Sequence, residues 1–395
     1  MRSKPDPLRV LFVSHSAELN GAENMLLLTL RALDRKRFSP LLVVPRTGPL
    51  LVEAARADVP AFIVPAKWWL TGRRGIWKQP LAWLWNARSV GRMGRLIREE
   101  KVDLVVTNSA GNFGGALAAR RAGVPHVWSV HEILSGPERL LSFVLGSRRL
   151  ARFMRRSSAA IIVNSRATGR AFEGLGGVRL LPNGVDLRRA SGRPDERLRK
   201  ELGLTKRDRV LGIVGKIMPD KGQLEAVRAF AEIAPRRPGL RLLLVGSVGS
   251  AGYLRELEAL VRNGGLEGRI LFTGRVPDVF AYLRLMDLLL VTSRSESFGR
   301  TVIEAMAAGT PVLAAAVGGL PEIITPGRDG FLVGSTEPRV LAAAVERLLD
   351  RPGLLRRAAA QGRKTVRAKY DLGVIVREFE RILIAVQAGP EAGRD

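Results

Sequence analysis

Leu285–Val312 reads L-M-D-L-L-L-V-T-S-R-S-E-S-F-G-R-T-V-I-E-A-M-A-A-G-T-P-V. The apolar run Leu285–Thr292 predicts a buried strand. The stretch from Arg300 to about Ala308 predicts a helix, and Gly309 is placed to stop it. Glu296 then lies in a loop at the carboxyl end of a strand, and Glu304 lies on the helix leaving that loop. Open α/β sheets bind ligands at that edge. Gly299 lets the backbone come close to a ligand, and the helix N-terminus offers free N–H groups to an anion. Carboxylates on both sides of an anion-ready turn suit a ligand with hydroxyls at each end and phosphates between. A nucleotide-sugar has that layout.

Outward from this segment, short apolar runs alternate with helical ones. Val210–Val214, Arg241–Val245, Ile270–Thr273, Leu288–Val291 and Pro311–Ala314 read as strands of one series. An earlier series comprises Leu8–Ser14, Leu41–Val44, Ala61–Val64, Leu104–Thr107, His126–Val130 and Ala159–Val163. Such alternation predicts α/β architecture, with parallel sheets and crossover helices. Residues 181–209 lose the strand pattern and are rich in Pro, Gly and charge, so they read as the interdomain connection. The expected division is 1–185 as a first Rossmann-like domain, 186–208 as linker and 209–370 as a second doubly wound domain, with a central cleft between the two. Residues 371–395 then form a C-terminal helix, packing back on the first domain, and a tail.

Bulk properties narrow the class. The 395 residues include no cysteine, which excludes disulfides and thiolate metal sites. His15, His126 and His131 are too scattered for an evident metal cluster. No apolar run approaches the roughly 18 residues of a spanning helix. The expectation is a cytoplasmic protein, soluble or peripheral on the inner face of the cell membrane. The net charge of +27 invites polyanionic partners, although arginine is spread over the whole chain. Residues 1–190 carry 31 basic and 13 acidic side chains, against 33 and 24 in the remainder, so the excess sits in the first half.

Several further motifs fall at predicted strand ends. In V-G-K-I-M-P-D-K-G-Q, Gly215 and Lys216 follow a strand, and Lys221 and Gly222 open a helix. Two ammonium groups and a helix N-terminus suit a diphosphate; a surface turn with two ordinary lysines is the plain alternative. Asn20–Gly21 occupies the equivalent turn of the first half, where a lone glycine is usually just a turn. His131 ends the strand P-H-V-W-S-V-H. It can donate to a sugar hydroxyl or shuttle a proton, or be satisfied by backbone in the core. P-N-G-V-D, Pro182–Asp186, suggests a tight turn or one wall of the cleft. V-G-G-L-P-E, Val317–Glu322, suggests another wall or a simple loop.

Taken in order, N-G-A-E, V-H-E, P-N-G-V-D, V-G-K-x4-K-G, E-S-F-G-R-T-V-I-E-A-M-A-A-G-T-P-V and G-G-x-P-E resemble glycosyltransferase family 4, the retaining enzymes of GT-B fold. The match runs from the first strand to about residue 335. The resemblance implies that Glu304 binds the ribose hydroxyls and Glu296 the donor sugar. It implies that Lys216 and Lys221 neutralise the diphosphate, with Lys216 where many members have Arg. Backbone around Gly21, Gly215, Phe298 and Gly299 would surround the phosphates and sugar, and His131 would sit near the anomeric centre. Asn20 replaces a second glycine that many members carry. The catalytic set implied is His131, Glu296, Lys216 and Lys221. There is no Asp-x-Asp pair and no evident carboxylate nucleophile, so the expectation is no cofactor, no metal and front-face transfer of a hexosyl group with retention.

The acceptor side is read from the first half. Trp68, Trp69, Trp77, Trp83 and Trp85 lie among Lys67, Arg73, Arg74, Lys78, Arg88, Arg92, Arg95 and Arg98, with no acid before Glu99. A second basic and apolar stretch runs through Arg148, Arg149, Arg152, Arg155 and Arg156. Aromatics beside cations suit an anionic membrane surface and a glycan or lipid-linked acceptor of envelope polysaccharide or glycolipid synthesis. The competing reading is a Trp-containing core helix with a solvated basic face. Two other classes remain open on sequence alone. A non-catalytic nucleotide-sugar-binding protein would keep the donor residues without transfer. A nucleic-acid-binding protein would use the charge, but no nucleic-acid motif appears and none is expected as partner.

Overall fold

The computed structural model describes residues 6–389, apart from the side chains of Arg73, Arg74 and Lys78. The two chain ends, including the expected tail, lie outside the described residues. The chain divides into two units. One comprises the residues up to Gly184 together with the segment from Leu372 onward. The other is Val185–Asp371.

The first unit contains a parallel sheet of β1 (Leu8–Ser14), β2 (Phe38–Val44), β3 (Ala61–Ile63), β4 (Leu104–Asn108), β5 (His126–Val130), β6 (Ala160–Val163) and β7 (Val178–Leu180). Their order is β3-β2-β1-β4-β5-β6-β7. The second unit contains β8 (Arg209–Val214), β9 (Leu240–Val245), β10 (Ile270–Gly274), β11 (Leu288–Val291), β12 (Val312–Ala315) and β13 (Phe331–Val333), ordered β10-β9-β8-β11-β12-β13. Both are doubly wound α/β sheets of Rossmann order. The winding reverses between β1 and β4 in one unit and between β8 and β11 in the other. Such switch points are where open parallel sheets leave a crevice for a ligand.

Alternation along each strand feeds two cores per unit. Leu11 and Val13 of β1 enter one apolar cluster while Val10 and Phe12 enter the other. Leu211 and Ile213 of β8 face one cluster and Val210 the opposite one. Strands buried on both faces read as continuous apolar runs, which is why they were legible.

Several boundaries differ from the sequence reading. β2 begins at Phe38 and contains Pro40, because β3 pairs β2 only from Leu42 to Val44; the missing Pro40 N–H falls beyond the reach of β3. β11 is shorter than Leu285–Thr292, since Leu285 N–H bonds back to Tyr282 and closes the preceding helix. β7 and β13, three residues each at sheet edges, lacked a sequence signal. Residues 186–208 are not a bare linker. They carry the short helices Leu187–Ala190 and Glu196–Glu201 and group with the second unit.

The helix Leu372–Ala388 buries Leu372, Ile375, Val376, Phe379 and Leu383 against Phe12, Met25 and Leu26 of the first unit. Glu380 accepts the Asp34 N–H at 2.8 Å there. Gly184 is not left-handed and no turn forms at Asn183–Gly184, so the expected Asn-Gly tight turn is absent. A Cβ there would sit 2.8 Å from Leu372 Cα, and glycine permits that close approach.

Candidate functional site

At the β8/β11 switch point, the two outgoing loops are bound to each other. Thr292, just past β11, donates its hydroxyl toward the carbonyls of Lys221 and Gly222 at 3.0 and 2.9 Å. Arg294 N–H bonds to the Asp220 carbonyl at 2.9 Å. Gly222 has φ +68°, and a Cβ there would lie 2.1 Å from the Thr292 carbonyl oxygen. This contact requires the glycine of the K-G pair.

Lys221 Nζ donates to Glu296 Oε2 at 2.8 Å, and Ser293 Oγ lies 3.3 Å from the same oxygen. Burial pulls the Lys221 ammonium down, but the Glu296 carboxylate, with help from Asp220, outweighs it and leaves the pKa above the usual lysine value. Lys221 therefore stays cationic. Lys216 is exposed and forms no ion pair among the described residues; its carbonyl accepts from Gln223 at 2.8 Å. Gly215, in the same turn, has φ +155°, and Gly246 packs on its carbonyl.

Glu296 is held from the far side by the double glycine of V-G-G-L-P-E. Gly319 N–H bonds to the Glu296 carbonyl at 2.9 Å. A Cβ on Gly318, at φ +54°, would lie 1.9 Å from that oxygen. The motif thus positions the Glu296 backbone. Gly299, at φ +103°, caps the Arg300–Ala308 helix, and a Cβ there would strike Leu320. Phe298 is buried, with its ring edge-on to Tyr370. Glu304 projects from the second turn of that helix, is 8 % exposed and is paired with Arg300 one turn earlier. The sequence reading gave Arg300 no role, although the i,i+4 spacing signals the pair.

The β1/β4 switch point is built differently. Gly21 is the first residue of the helix Gly21–Ala32, where Glu23 Oε2 accepts the Asn20 N–H at 3.2 Å. The N-x-x-E spacing of a capping box was the available signal. A Cβ on Gly21 would meet nothing within 4 Å, and its backbone is not left-handed.

His131 follows β5. Its Nε2 lies 2.8 Å from Asn108 Oδ1 and 3.1 Å from Ser129 Oγ. Asn108, at the end of β4, also donates to the Ala22 carbonyl at 3.3 Å. Glu132 accepts the N–H groups of Ala110 and His131 at 3.0 and 3.1 Å and the Ser109 hydroxyl. It thereby holds Ser109 at φ +127°, a strained backbone for a non-glycine residue. A cavity of about 40 Å³ beside His131 is lined in part by Asn108, Asn164 and Asn183.

His15, after β1, was not singled out. Nδ1 lies 3.1 Å from the Asn108 carbonyl oxygen, and Nε2 lies 3.0 Å from Glu23 Oε1. Both ring nitrogens face acceptors, which favours the imidazolium. Burial pushes the pKa down, yet the Glu23 carboxylate, with Glu132 behind it, leaves it above the usual histidine value. For Glu23, burial acts upward, but the His15 contact prevails and leaves its pKa below the usual value. His126, fully buried with Nε2 2.8 Å from Thr107 Oγ1, is pushed by desolvation down to about 3 and stays neutral.

The tryptophans divide between core and surface. Trp69 is core, donating to the Ala110 carbonyl and meeting Phe113, Phe143 and Phe153 edge-on. Trp68 packs edge-on to His15 with centroids 4.7 Å apart. Trp77 and Trp85 are exposed. Among the described residues, no group of three or more His, Asp or Glu is placed to hold a metal ion, and no helix is long and apolar enough to cross a membrane.

Residues 194–365 match the family model for glycosyl transferases group 1, and residues 19–189 match that for Glycosyltransferase Family 4. The 2-deoxystreptamine glucosyltransferase of Streptomyces kanamyceticus is 30 % identical over 323 residues, 76 % of this chain and 82 % of that protein. A D-inositol 3-phosphate glycosyltransferase of Nocardia farcinica is 41 % identical over 186 residues, 45 % of this chain and 41 % of that one. The crystal structure of Anabaena Alr3699/HepE in complex with UDP and glucose is 26 % identical and has a TM-score of 0.81. It covers 96 % of this chain and 100 % of that one.

Proposed function

This chain belongs to glycosyltransferase family 4, and on that premise we propose that it is a retaining, metal-independent hexosyltransferase acting on a UDP-sugar, glucose first among the candidates. That it is a glycosyltransferase using a nucleotide-sugar follows from the family. The uridine and the glucose are suggested by the HepE complex and by the glucosyltransferase named above. The acceptor proposed is a glycan or lipid-linked sugar of cell-envelope polysaccharide or glycolipid synthesis, reached from the inner face of the cell membrane.

The observation that carries the reading is the charge layout at the β8/β11 switch point. Lys221 and Glu296 meet at 2.8 Å there, Lys216 stands exposed in the loop after β8, and Glu304 lies on the helix that leaves the β11 loop. Glu304 meets the ribose hydroxyls. Lys216 and Lys221 face the diphosphate, together with the N-terminus of the Arg300–Ala308 helix. Glu296 takes sugar hydroxyls through the oxygen that Lys221 leaves open. Gly21 is proposed to lie against the ligand as well, and a Cβ there would meet nothing of the chain within 4 Å.

In the proposed reaction the anomeric C–O bond to the diphosphate breaks, and the charge released on phosphate is stabilised by the two lysines, which take the task that a metal ion performs elsewhere. The acceptor hydroxyl attacks from the same face and gives its proton to the departing phosphate oxygen. His131, oriented by Asn108, meets a sugar hydroxyl near the anomeric centre. The test is a thermal-shift panel of UDP-, GDP-, ADP- and TDP-sugars, then mass spectrometry of products with the best donor. Stabilisation by UDP-glucose, followed by glucosyl transfer with the anomeric configuration kept, is the expected result. Binding without transfer to any glycan or lipid-linked acceptor would leave a nucleotide-sugar-binding protein instead.

A further inference from the structure

One face of the first unit exposes apolar side chains that the donor chemistry does not use. Trp77, Leu81 and Leu84 are 74 %, 64 % and 74 % exposed, and Trp85 is 45 % exposed. Leu81, Leu84 and Trp85 share one face of the helix Gln79–Glu99, and Arg88, Arg92 and Arg95 continue that stripe, all exposed. Beside it runs the loop 140–145. Gln79, fully buried, clamps this loop: its Nε2 donates to the Ser142 carbonyl at 2.8 Å, and its Oε1 accepts the Val144 N–H at 2.9 Å. The loop points Leu140, Val144 and Leu145 outward, 53 %, 41 % and 48 % exposed. It turns Leu141 and Phe143 inward.

The inward residues line a cavity of about 180 Å³ with Leu70, Ile76, Leu134 and Leu150. Arg139, Ser142 and Ser147 supply its polar groups. The Ser142 hydroxyl is buried and has no hydrogen-bond partner. A cavity of roughly 150 Å³ with similar apolar lining stays dry and binds benzene, so this volume admits a short alkyl stretch. Arg88, Arg92, Arg95, Arg148, Arg149 and Arg152 are exposed, and none forms an ion pair among the described residues. From residue 139 to 172 the sequence has no acid.

We propose that this face is a lipid site: the apolar rim of Trp77, Leu81, Leu84, Leu140, Val144 and Leu145 seats in the headgroup layer of an anionic membrane, and one alkyl chain of an anionic lipid enters the cavity behind Leu141 and Phe143. The inference deepens the proposed function, because it identifies the acceptor side with a lipid, and it rests on that reading. Charge selects an anionic headgroup. The exposed apolar rim and the mainly apolar lining of the cavity favour lipid over nucleic acid, which would leave both unused. The two basic segments, read separately in the sequence, are joined here by Gln79.

The test uses the full chain. Co-sedimentation compares phosphatidylcholine vesicles with and without phosphatidylglycerol at physiological ionic strength. Tryptophan fluorescence follows titration with glycerol phosphate and with hexyl, octyl and decyl phosphate below their micellar range. Binding only to the anionic vesicles is expected. Alkyl phosphate affinity should rise by about fourfold per methylene until the cavity is filled. The double surface variant Leu81→Ser/Leu84→Ser should lose at least tenfold in vesicle affinity yet keep octyl phosphate binding. Leu141→Trp should lose the chain-length series. The wild-type circular dichroism spectrum and a cooperative thermal unfolding transition are the check that each variant is folded. Equal binding to neutral vesicles, affinity independent of chain length, or a single-stranded RNA that binds as tightly and is insensitive to Leu81→Ser/Leu84→Ser would overturn the proposal. UDP-glucose turnover on a soluble acceptor is read in parallel. If turnover persists without lipid binding, only this inference falls; if lipid binds but no donor is turned over, the glycosyltransferase mechanism falls.

Discussion

The two switch points have the same sheet topology and opposite electrostatics. At β8/β11 the charged side chains, on two loops and on the helix that leaves one of them, keep 11 % to 26 % exposure and neutralise one another in pairs, Lys221 with Glu296 and Arg300 with Glu304. At β1/β4 the ionisable pair His15–Glu23 is buried, and the polar network around Asn108 and Glu132 is turned inward. Partly open pairs can exchange partners when a diphosphate or a ribose arrives. A buried pair cannot do so without a large desolvation cost. The β8/β11 end is thus built to bind charge, and the β1/β4 end to hold a fixed polar network in place. Their glycines repeat the contrast. Gly222, Gly299 and Gly318 are demanded by the chain's own packing, whereas a Cβ on Gly21 would meet nothing within 4 Å.

The largest effect that would break this comparison is loss of the leaving-group charge. The double variant Lys216→Ala/Lys221→Ala is expected to lower kcat by about 10²- to 10³-fold, the scale for removing preorganised stabilisation of a developing anion. Steady-state kinetics with UDP-glucose checks it. Unchanged turnover would mean that the exposed pairs are surface features only. Glu304→Gln follows. It keeps the Arg300 contact as a neutral hydrogen bond but weakens the ribose contacts, so UDP affinity should fall by roughly tenfold to a hundredfold, the range for a charge-assisted hydrogen bond. Isothermal titration measures it, and an unchanged affinity would remove the ribose role.

The glycine contrast gives a paired experiment. Gly318→Ala is expected to cost about 1–2 kcal/mol for the left-handed backbone alone, with more from the collision with Glu296, and to appear as a lowered Tm. Gly21→Val should leave Tm nearly unchanged and reduce kcat/KM. The reverse pattern, a stable Gly318→Ala or an unfolded Gly21→Val, would contradict the assignment of one glycine to packing and the other to a ligand.

What the sequence revealed depended on distance along the chain. Glu296 and Glu304 were readable because one strand, one loop and one helix place them, and all three have local signals. The Arg300–Glu304 pair was equally local and was available from helical spacing. The Lys221–Glu296 pair was not: its partners are 75 residues apart and meet only because β8 and β11 are neighbours at a switch point. His15 looked like an isolated histidine, since its character comes from the Asn108 carbonyl 93 residues away as well as from Glu23. The Trp-rich stretch offered two readings, core and membrane, and the structure divides it, with Trp69 in the core and Trp77 on the surface. Periodicity alone could not decide, because Phe143 of the loop that covers Trp69 comes from outside the stretch and that loop is pinned by Gln79.

The smallest effect expected is a pH slope, and it tests whether the β1/β4 end is a buried ion pair at all. The folded pKa of His15 lies above 6.5, so its contribution to stability is complete below the unfolded value and is lost as pH rises through the folded one. Glu23 behaves oppositely. Its folded pKa lies below 4.5, so its contribution is present above that value and is lost as pH falls through the folded one. The pair therefore stabilises fully only between about pH 4.5 and 6.5. His126 adds a separate acid term: held neutral down to about 3, it opposes folding increasingly as pH drops below 6.5. The difference in Tm between the wild type and His15→Gln removes this shared term. It should be largest near the acid end of that window and shrink as pH is raised through the folded His15 pKa. A difference constant with pH would mean that His15 titrates alike in the folded and unfolded chain, and one that turns against the wild type as pH falls below 6.5 would mean that His15 is held neutral, as His126 is.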